Sequence, residues 1–162
     1  MSTKRIAMDG LLLALALILS FIDSMIPMPI PVAGIKLGLA NLAVIYALYK
    51  MGEGDAVLIS IARVILSGLM FAGMSGILYS LAGAVLSLTI MCLMHRFSDF
   101  HIIPVSVCGS LAHIAGQLIV AAAMTSASIV TYYAPFLLIS AFIAGTVIGI
   151  LSAVLINSIK AP

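Results

Sequence analysis

Six apolar runs, separated by short polar or proline-containing segments, dominate the pattern of the chain. A helix needs roughly 20 apolar residues to cross a bilayer, and every run except the short second one approaches that length. The pattern predicts an all-α membrane protein with six transmembrane helices in the single domain 1–162. The predicted spans are residues 6–26, 35–49, 56–72, 77–94, 103–124 and 134–159.

The breaks between the runs have identifiable chemistry. The prolines at 27, 29 and 31 end the first span, because proline lacks the backbone N–H and disfavours helix in the residue before it. The short second span is either tilted or partly irregular, and irregular backbone is tolerated in a membrane only where it is buried in protein or lines a cavity. The other predicted breaks are the turns 50–55 and 73–76 and the loops 95–101 and 125–133.

Composition excludes the soluble classes of protein. Hydrophobic residues make up 64% of the chain and charged residues 7%, against about 25% charged in soluble domains. These few charges cannot cover a soluble fold, and they exclude a nucleic-acid binder or a secreted disulfide scaffold. We expect an uncleaved first span, since no small-residue cleavage site follows it, and free thiols at Cys92 and Cys108.

The positions of lysine and arginine predict the orientation. With the N-terminus inside, the external loops hold only Lys36, and Arg63 lies within the third span. This asymmetry favours an N-in/C-in topology, because cytoplasmic loops carry the excess of basic residues. The basic residues of the cytoplasmic segments are then Lys4, Arg5, Lys50, Arg96 and Lys160.

Three polar residues within the spans need a reason, because polar groups are costly inside a membrane and an ionisable one costs about 2.5–3.5 kcal/mol at a helix centre. Arg63 either offers a cation and five donors to an anionic or carbonyl-bearing ligand, or it forms an ion pair or caps carbonyls inside the bundle. His113 and Gln117 share one helix face and bind a ligand, relay protons or hydrogen-bond between helices. No second His or Cys stands at ligand spacing, so no metal site is predicted.

In the predicted topology the scarce polar side chains gather in the outer half of the bundle. An externally open pocket would collect them at one depth, whereas scattered structural residues would have no reason to share it. Asp23 and Lys36 have a second interpretation, namely that both are simply hydrated at the membrane interface. The predicted substrate-binding residues are Lys36, Asn41, Arg63, Ser67, Tyr79, His113 and Gln117.

Small residues recur at four-residue spacing, which lets helix backbones approach closely in lipid. In the last span they indicate packing within the chain, and in the first span they indicate either internal packing or a partner protein. The row in the last span is Ala141, Gly145, Gly149 and Ala153, and that in the first span includes Ala7, Gly10 and Ala14.

Several catalytic motifs are absent from the sequence. No G-x-x-x-x-G-K-[ST] motif occurs, so the chain has no P-loop with which to hydrolyse ATP. No aspartate-rich pair stands ready to hold Mg²⁺ against a diphosphate, since the acids are isolated apart from Glu53 and Asp55. We therefore expect a protein that is not an enzyme and has no cofactor.

Most of the chain resembles one family. The stretches PMPIPVAGIKLGLANLAVIYALY, GEGDAVLISIARVILSGLMF, GILYSLAGAVLSLTIM and VSVCGSLAHIAGQLIVA resemble the family labelled heptaprenyl diphosphate synthase component I, also called the Gx transporter family. IKLGLAN is the most specific part, followed by the Arg63 segment and by Ala112-His113-Ile114-Ala115-Gly116-Gln117. That family resembles the S components of energy-coupling factor (ECF) transporters, which are six-helix membrane proteins with both termini inside.

The resemblance implies a binding protein with energised partners. S components capture a vitamin or similar small molecule from the outside, while a transmembrane T component and two cytoplasmic ATPases drive uptake. It implies docking at Ala7, Gly10 and Ala14, a gating loop at 27–34, and a location in the bacterial cytoplasmic membrane. The pocket residues that it implies are Lys36, Asn41, Arg63, His113 and Gln117.

Three functions follow as hypotheses. The first is an S-component-like importer subunit that binds a small anionic or amphipathic metabolite. The second, from the family label, is a non-catalytic membrane subunit of a prenyl (heptaprenyl) diphosphate synthase. The third is a stand-alone proton-coupled carrier that uses His113 and Arg63, and the short second span also fits a carrier.

Overall fold

The computed structural model describes residues 3–26, 36, 38–97, 101–125 and 127–158, and in these ranges the chain is helical without any strand. The predicted gating loop 27–34 lies outside the described residues. The helices are α1 (Thr3–Met25), α2 (Asn41–Lys50), α3 (Glu53–Ser67), a π-helical segment (Gly68–Ala72), α4 (Gly73–Phe97), α5 (Ile102–Met124) and α6 (Ala127–Ser158).

In the part of the chain that the structure describes, four helical runs are long and apolar enough to cross a membrane. The exposed surface of the described residues carries many leucines, isoleucines and phenylalanines, as expected for a surface that faces lipid rather than water. The chain is therefore an all-α, multi-pass membrane protein. The four runs are Thr3–Met25, Glu53–Phe97, Ile102–Met124 and Val130–Ser158.

The run Glu53–Phe97 is folded back on itself. As one straight helix, its 45 residues would be about 68 Å long, more than twice the ~30 Å hydrocarbon core. The chain reverses at Gly73, whose φ of +69° favours glycine. Ile77 then packs so closely on Gly68 that a Cβ added to Gly68 would overlap its side chain. The predicted turn 73–76 lies at this reversal.

α2 is shorter than the predicted second span, residues 35–49. Its ten residues measure about 15 Å, half of the hydrocarbon core. Residues 43–48 are at most 4% exposed, so the helix is enclosed by its neighbours. This is the environment in which a membrane tolerates an incomplete helix. Six crossings and cytoplasmic termini stay predictions.

α6 begins at Ala127, so the predicted loop 125–133 is wrong for most of its length. The Ser, Thr and Tyr residues of this segment are modest helix formers, but tertiary packing overrides that weak preference. Val130 and Tyr133 pack against an apolar cluster that includes Ile114 of α5 and Leu137 of α6.

α5 packs along α4 on one side and along α6 on another. The contact with α6 is close: a Cβ added to Gly145 would lie 2.9 Å from the Cα of Val107, and one added to Gly149 would lie 2.9 Å from the Cα of Ile103. The small-residue row of α6 therefore serves packing within the chain, and that prediction is confirmed.

Candidate functional site

A cluster of buried polar side chains lies where the C-terminal end of α1 meets the N-terminal end of α2. Side chains of α3 and α5 complete it. All of its members are at most 7% exposed, although they belong to helices in a membrane protein. We call the set Ser20, Asp23, Lys36, Asn41, Arg63, His113 and Gln117 the polar cluster.

Side chains from two helices hold the segment that leads into α2. The backbone N–H of Lys36 donates to Oε1 of Gln117 over 3.1 Å. The N–H groups of Gly38 and Leu39 both donate to Oδ2 of Asp23, at 2.8 and 3.3 Å. Since a buried backbone donor needs a partner, Asp23 and Gln117 replace the hydrogen bonds that regular structure would supply.

These contacts also set the state of the buried histidine. Because Oε1 of Gln117 accepts from Lys36, its amide nitrogen is left to donate, and this Nε2 lies 3.1 Å from Nε2 of His113. With this assignment the imidazole is a neutral acceptor at Nε2 and carries its proton on Nδ1, which is itself buried without a hydrogen-bond partner among the described residues. Gly38, at φ +84°, brings the backbone against the ring: a Cβ there would lie 3.4 Å from Cδ2 of His113.

Arg63 is 3% exposed, yet its guanidinium is poorly satisfied. Nη1 lies 3.4 Å from Oγ of Ser20, a long hydrogen bond. Its Nε and Nη2 are buried and find no hydrogen-bond partner among the described residues, and the same holds for Nδ2 of Asn41. All three unpaired atoms are donors, and each unmade hydrogen bond costs about 1–3 kcal/mol.

The described part of the polar cluster holds more positive than negative charge. The ammonium of Lys36 lies 5.3 Å above the ring centroid of Phe71, in the range of a cation–π contact. Asp23 is the acid whose charge acts on both Lys36 and Arg63. Two cations therefore face one carboxylate in a poorly hydrated environment, which favours an anionic ligand.

Of the seven predicted binding residues, the structure brings together Lys36, Asn41, Arg63, His113 and Gln117. The two others are buried as well, but the structure shows different contacts for them. Ser67 donates its hydroxyl to the carbonyl of Val64 in its own helix, over 3.2 Å. Tyr79 packs in the apolar cluster with Ile114 of α5 and Leu137 of α6.

Two members of the polar cluster were absent from the predicted binding set. Ser20 and Asp23 stand three residues apart and so share a face of α1, a signal that was available from their spacing. Asp23 and Lys36 are 5% and 7% exposed, which argues against the alternative that they are simply hydrated at the membrane interface.

The predicted docking residues lie on the outer surface of α1. Ala7, Gly10 and Ala14 are all exposed, and a Cβ added to Gly10 would meet nothing within 4 Å. This row therefore does not serve packing within the described chain, in contrast to the row in α6.

Comparison with known proteins gives one family. The model described as heptaprenyl diphosphate synthase component I matches residues 12–155, most of the 162-residue chain and every member of the polar cluster. No curated protein and no solved structure matches the chain. The word "component" implies that proteins of this family work within a larger assembly with a partner.

Proposed function

The chain belongs to the heptaprenyl diphosphate synthase component I family, and on that premise we propose that it is the S-component-like substrate-binding subunit of an ECF-type importer. It crosses the bacterial cytoplasmic membrane six times, with both termini inside, and catalyses no reaction itself. It captures a small anionic or amphipathic metabolite at the polar cluster, which opens outward. A T component and two cytoplasmic ATPases supply the energy for uptake.

One observation carries this proposal: the buried donors that lack acceptors. An arginine with a purely structural role would be saturated by carbonyls or paired with an acid, since leaving buried donors unmade is costly. Nε and Nη2 of Arg63 and Nδ2 of Asn41 instead have no partner in the described chain. A carboxylate or phosphate group accepts hydrogen bonds from donors of this kind, and a guanidinium binds either one bidentately.

The charge and the fixed amide of the polar cluster support the same ligand chemistry. One anionic group would balance the excess of Lys36 and Arg63 over Asp23. Gln117 and the neutral His113 hold each other in one orientation, so they form a rigid wall rather than a competing ion pair. A preorganised site of this kind loses little entropy on binding.

The exposed row on α1 supports the partner part of the proposal. Ala7, Gly10 and Ala14 leave the backbone of α1 accessible to a second helix, and small residues are what helix pairs in lipid use for close approach. A T component would dock on this surface, on the opposite side of α1 from its buried residues Ala16 and Ser20.

The decisive experiment is co-purification from the native membrane. We expect a T component and two ATPases to accompany the full chain. Gly10→Leu should abolish this assembly and leave ligand binding intact, because the added side chain blocks close approach. Ala122→Leu, at another exposed small residue, is the matched control and should assemble normally. Equal assembly of both variants would contradict docking on α1.

A second candidate is a non-catalytic membrane subunit of a prenyl diphosphate synthase, favoured by the description of the family as component I of such an enzyme. The same experiment separates the two. A soluble prenyl diphosphate synthase that accompanies the chain without any ATPase would replace the importer by this candidate.

A further inference from the structure

A charged groove lies at the open end of the hairpin that α3 and α4 form. Glu53 is the first residue of α3 and Phe97 is the last residue of α4, and the chain reverses between them at Gly73. The two helix ends therefore meet at one end of the bundle. The groove between them has a volume of about 350 Å³, and its lining residues are Glu53, Thr89, Cys92, Leu93, Arg96 and Phe97.

The length of the hairpin places this groove at a membrane surface. The helical residues 53–72 precede the reversal, and twenty helical residues measure about 30 Å, the thickness of the hydrocarbon core. When Gly73 lies at one surface of the bilayer, the groove therefore lies at the other, at the depth of the lipid head groups. Leu93 and Phe97 are 46% and 75% exposed, so the groove borders the lipid-facing surface of α4.

Two opposite charges line the groove without pairing. Arg96 is exposed and Glu53 is half-buried. Among the described residues, neither side chain takes part in a hydrogen bond or an ion pair, whereas Arg5 and Asp55 do pair at this end of α3. The guanidinium and the carboxylate thus share one groove but are too far apart to contact each other. A molecule that carries both charges would fit between them.

We infer that the groove binds the head group of an ethanolamine phospholipid. Its phosphate accepts hydrogen bonds from the guanidinium of Arg96, and its primary ammonium donates to the carboxylate of Glu53. The acyl chains follow the exposed apolar surface of α4 beyond Leu93. A choline head group has no N–H to donate, and a glycerol head group has no cation. This lipid site goes beyond the proposed function and does not depend on it.

A partner protein is the competing occupant, and the structure favours the lipid. The volume of the groove is that of a small-molecule pocket, for which about 300–1,000 Å³ is typical, whereas a stable protein interface buries about 800 Å² on each partner. An ethanolamine phospholipid also supplies both complementary charges within one molecule of the surrounding bilayer. Each charge suits its own helix end as well, an acid at the N-terminus and a base at the C-terminus, so the test must read out lipid selectivity.

The test compares phosphatidylethanolamine, phosphatidylcholine and phosphatidylglycerol with identical acyl chains. Each lipid is titrated onto the full chain in detergent, and native mass spectrometry measures the bound fraction. We expect phosphatidylethanolamine to bind about fivefold more tightly than phosphatidylcholine, the upper range for an exposed ion pair. Glu53→Gln should nearly abolish this preference, because the ammonium loses its counter-charge. Arg96→Gln should weaken both lipids alike, because both carry the phosphate.

Two further variants control for charge and for occupancy. Lys50→Gln, at the end of α2 and outside the groove, should keep the affinities and the preference. Thr89→Phe fills the groove without changing any charge and should weaken all three lipids.

Three outcomes would overturn the inference. One is a preference that survives Glu53→Gln, or tighter binding of phosphatidylglycerol than of phosphatidylethanolamine. Another is unchanged lipid binding in both charge variants, which would leave Glu53 and Arg96 to serve only the dipoles of their helices. The third is loss of a co-purified protein in these variants while lipid selectivity stays, which would make the groove a protein contact.

Discussion

The chain places two arginines in opposite environments. Arg5 on α1 is half exposed and donates from Nε and Nη2 to Oδ2 of Asp55, at 2.9 and 2.7 Å, and from Nη2 to the carbonyl of Met51. Arg63 is almost fully buried, with one long bond to Ser20 and two nitrogens unpaired in the described chain. Asp55 and Arg63 are only about 12 Å apart along α3.

From this difference we infer that Arg5 helps to hold the fold together and that Arg63 serves the proposed binding site. The guanidinium of Arg5 makes its hydrogen bonds within the protein, although it is exposed enough for water to solvate it. These hydrogen bonds connect α1 to the N-terminal end of α3. Arg63 is unsatisfied in a place where water cannot easily compensate, so it costs stability in the unliganded protein. A residue that lowers the stability of the unliganded protein in this way is typically retained because it has a function.

The largest predicted effect comes from Arg63→Met, which removes the charge and keeps much of the volume. Two charge-assisted hydrogen bonds to a ligand contribute about 3 kcal/mol or more, so the affinity for a carboxylate should fall at least a hundredfold. The free energy of unfolding without ligand should stay equal or rise, because a buried unpaired cation is removed. Calorimetry and denaturant unfolding measure the two.

Lost ligand binding together with preserved stability would distinguish a binding role of Arg63 from a structural role. If Arg63 stabilises the bundle, Arg63→Met would lower the free energy of unfolding by several kcal/mol, as breaking a buried pair does. That result would remove Arg63 from the binding site and would make the two arginines alike.

The next effect is smaller and comes from Lys36→Met. Lys36 contributes charge from the edge of the polar cluster, next to Phe71, and its backbone N–H contact with Gln117 does not depend on its side chain. We expect about a tenfold loss of carboxylate affinity, equal to 1.4 kcal/mol. Lys50→Met, at the other end of α2, is the control and should leave the affinity unchanged. An equal loss of carboxylate affinity in both variants would indicate a long-range effect of positive charge rather than a local contact of Lys36.

The sequence predicts some features of this site and not others. The cost of burying Arg63 and the one-face spacing of His113 and Gln117 are visible in the chain itself, and the structure brings these residues together. Tyr79 shares the predicted depth but packs among apolar side chains of α5 and α6. Depth along a helix is thus predictable, whereas the direction around the helix axis depends on neighbours that the sequence does not identify.

The fold, too, is predictable from the sequence only in part. Hydropathy predicts the long helices, but it overextends α2, because a fully enclosed helix needs no membrane-spanning length. It also misplaces the start of α6, where packing of Val130 and Tyr133 overrides weak helix preference. The burial of Asp23 follows from two backbone N–H groups that need an acceptor, a demand created by the conformation around Gly38.

Gly38→Ala tests that conformation and should have a moderate effect. The φ of +84° disfavours any side chain, and the new Cβ would lie 3.4 Å from both Asn41 and His113. We expect the free energy of unfolding to fall by about 1 kcal/mol and carboxylate affinity to fall with it. Gly54→Ala, in the first turn of α3 with open space around it, should instead be neutral or stabilising.

The smallest predicted effects come from variants of Arg5 and its partner Asp55. Arg5 and Asp55 form a pair in which Arg5 is half exposed, so a double-mutant cycle of Arg5→Ala and Asp55→Asn should give a coupling of about 1 kcal/mol or less in unfolding. Neither variant should change carboxylate affinity. A large loss of binding in either one would mean that the two ends of α3 are coupled, and the contrast between the arginines would fail.

The two single variants should also differ from each other. Asp9 follows Arg5 by four residues, and both oxygens of its buried carboxylate lack a hydrogen-bond partner among the described residues. In Asp55→Asn, Arg5 can turn to Asp9 one helical turn away, and one of two neighbouring negative charges is gone. In Arg5→Ala both carboxylates remain without their cation. Arg5→Ala should therefore lower the free energy of unfolding more than Asp55→Asn, and the reverse order would show that Asp9 takes no part in this end of the bundle.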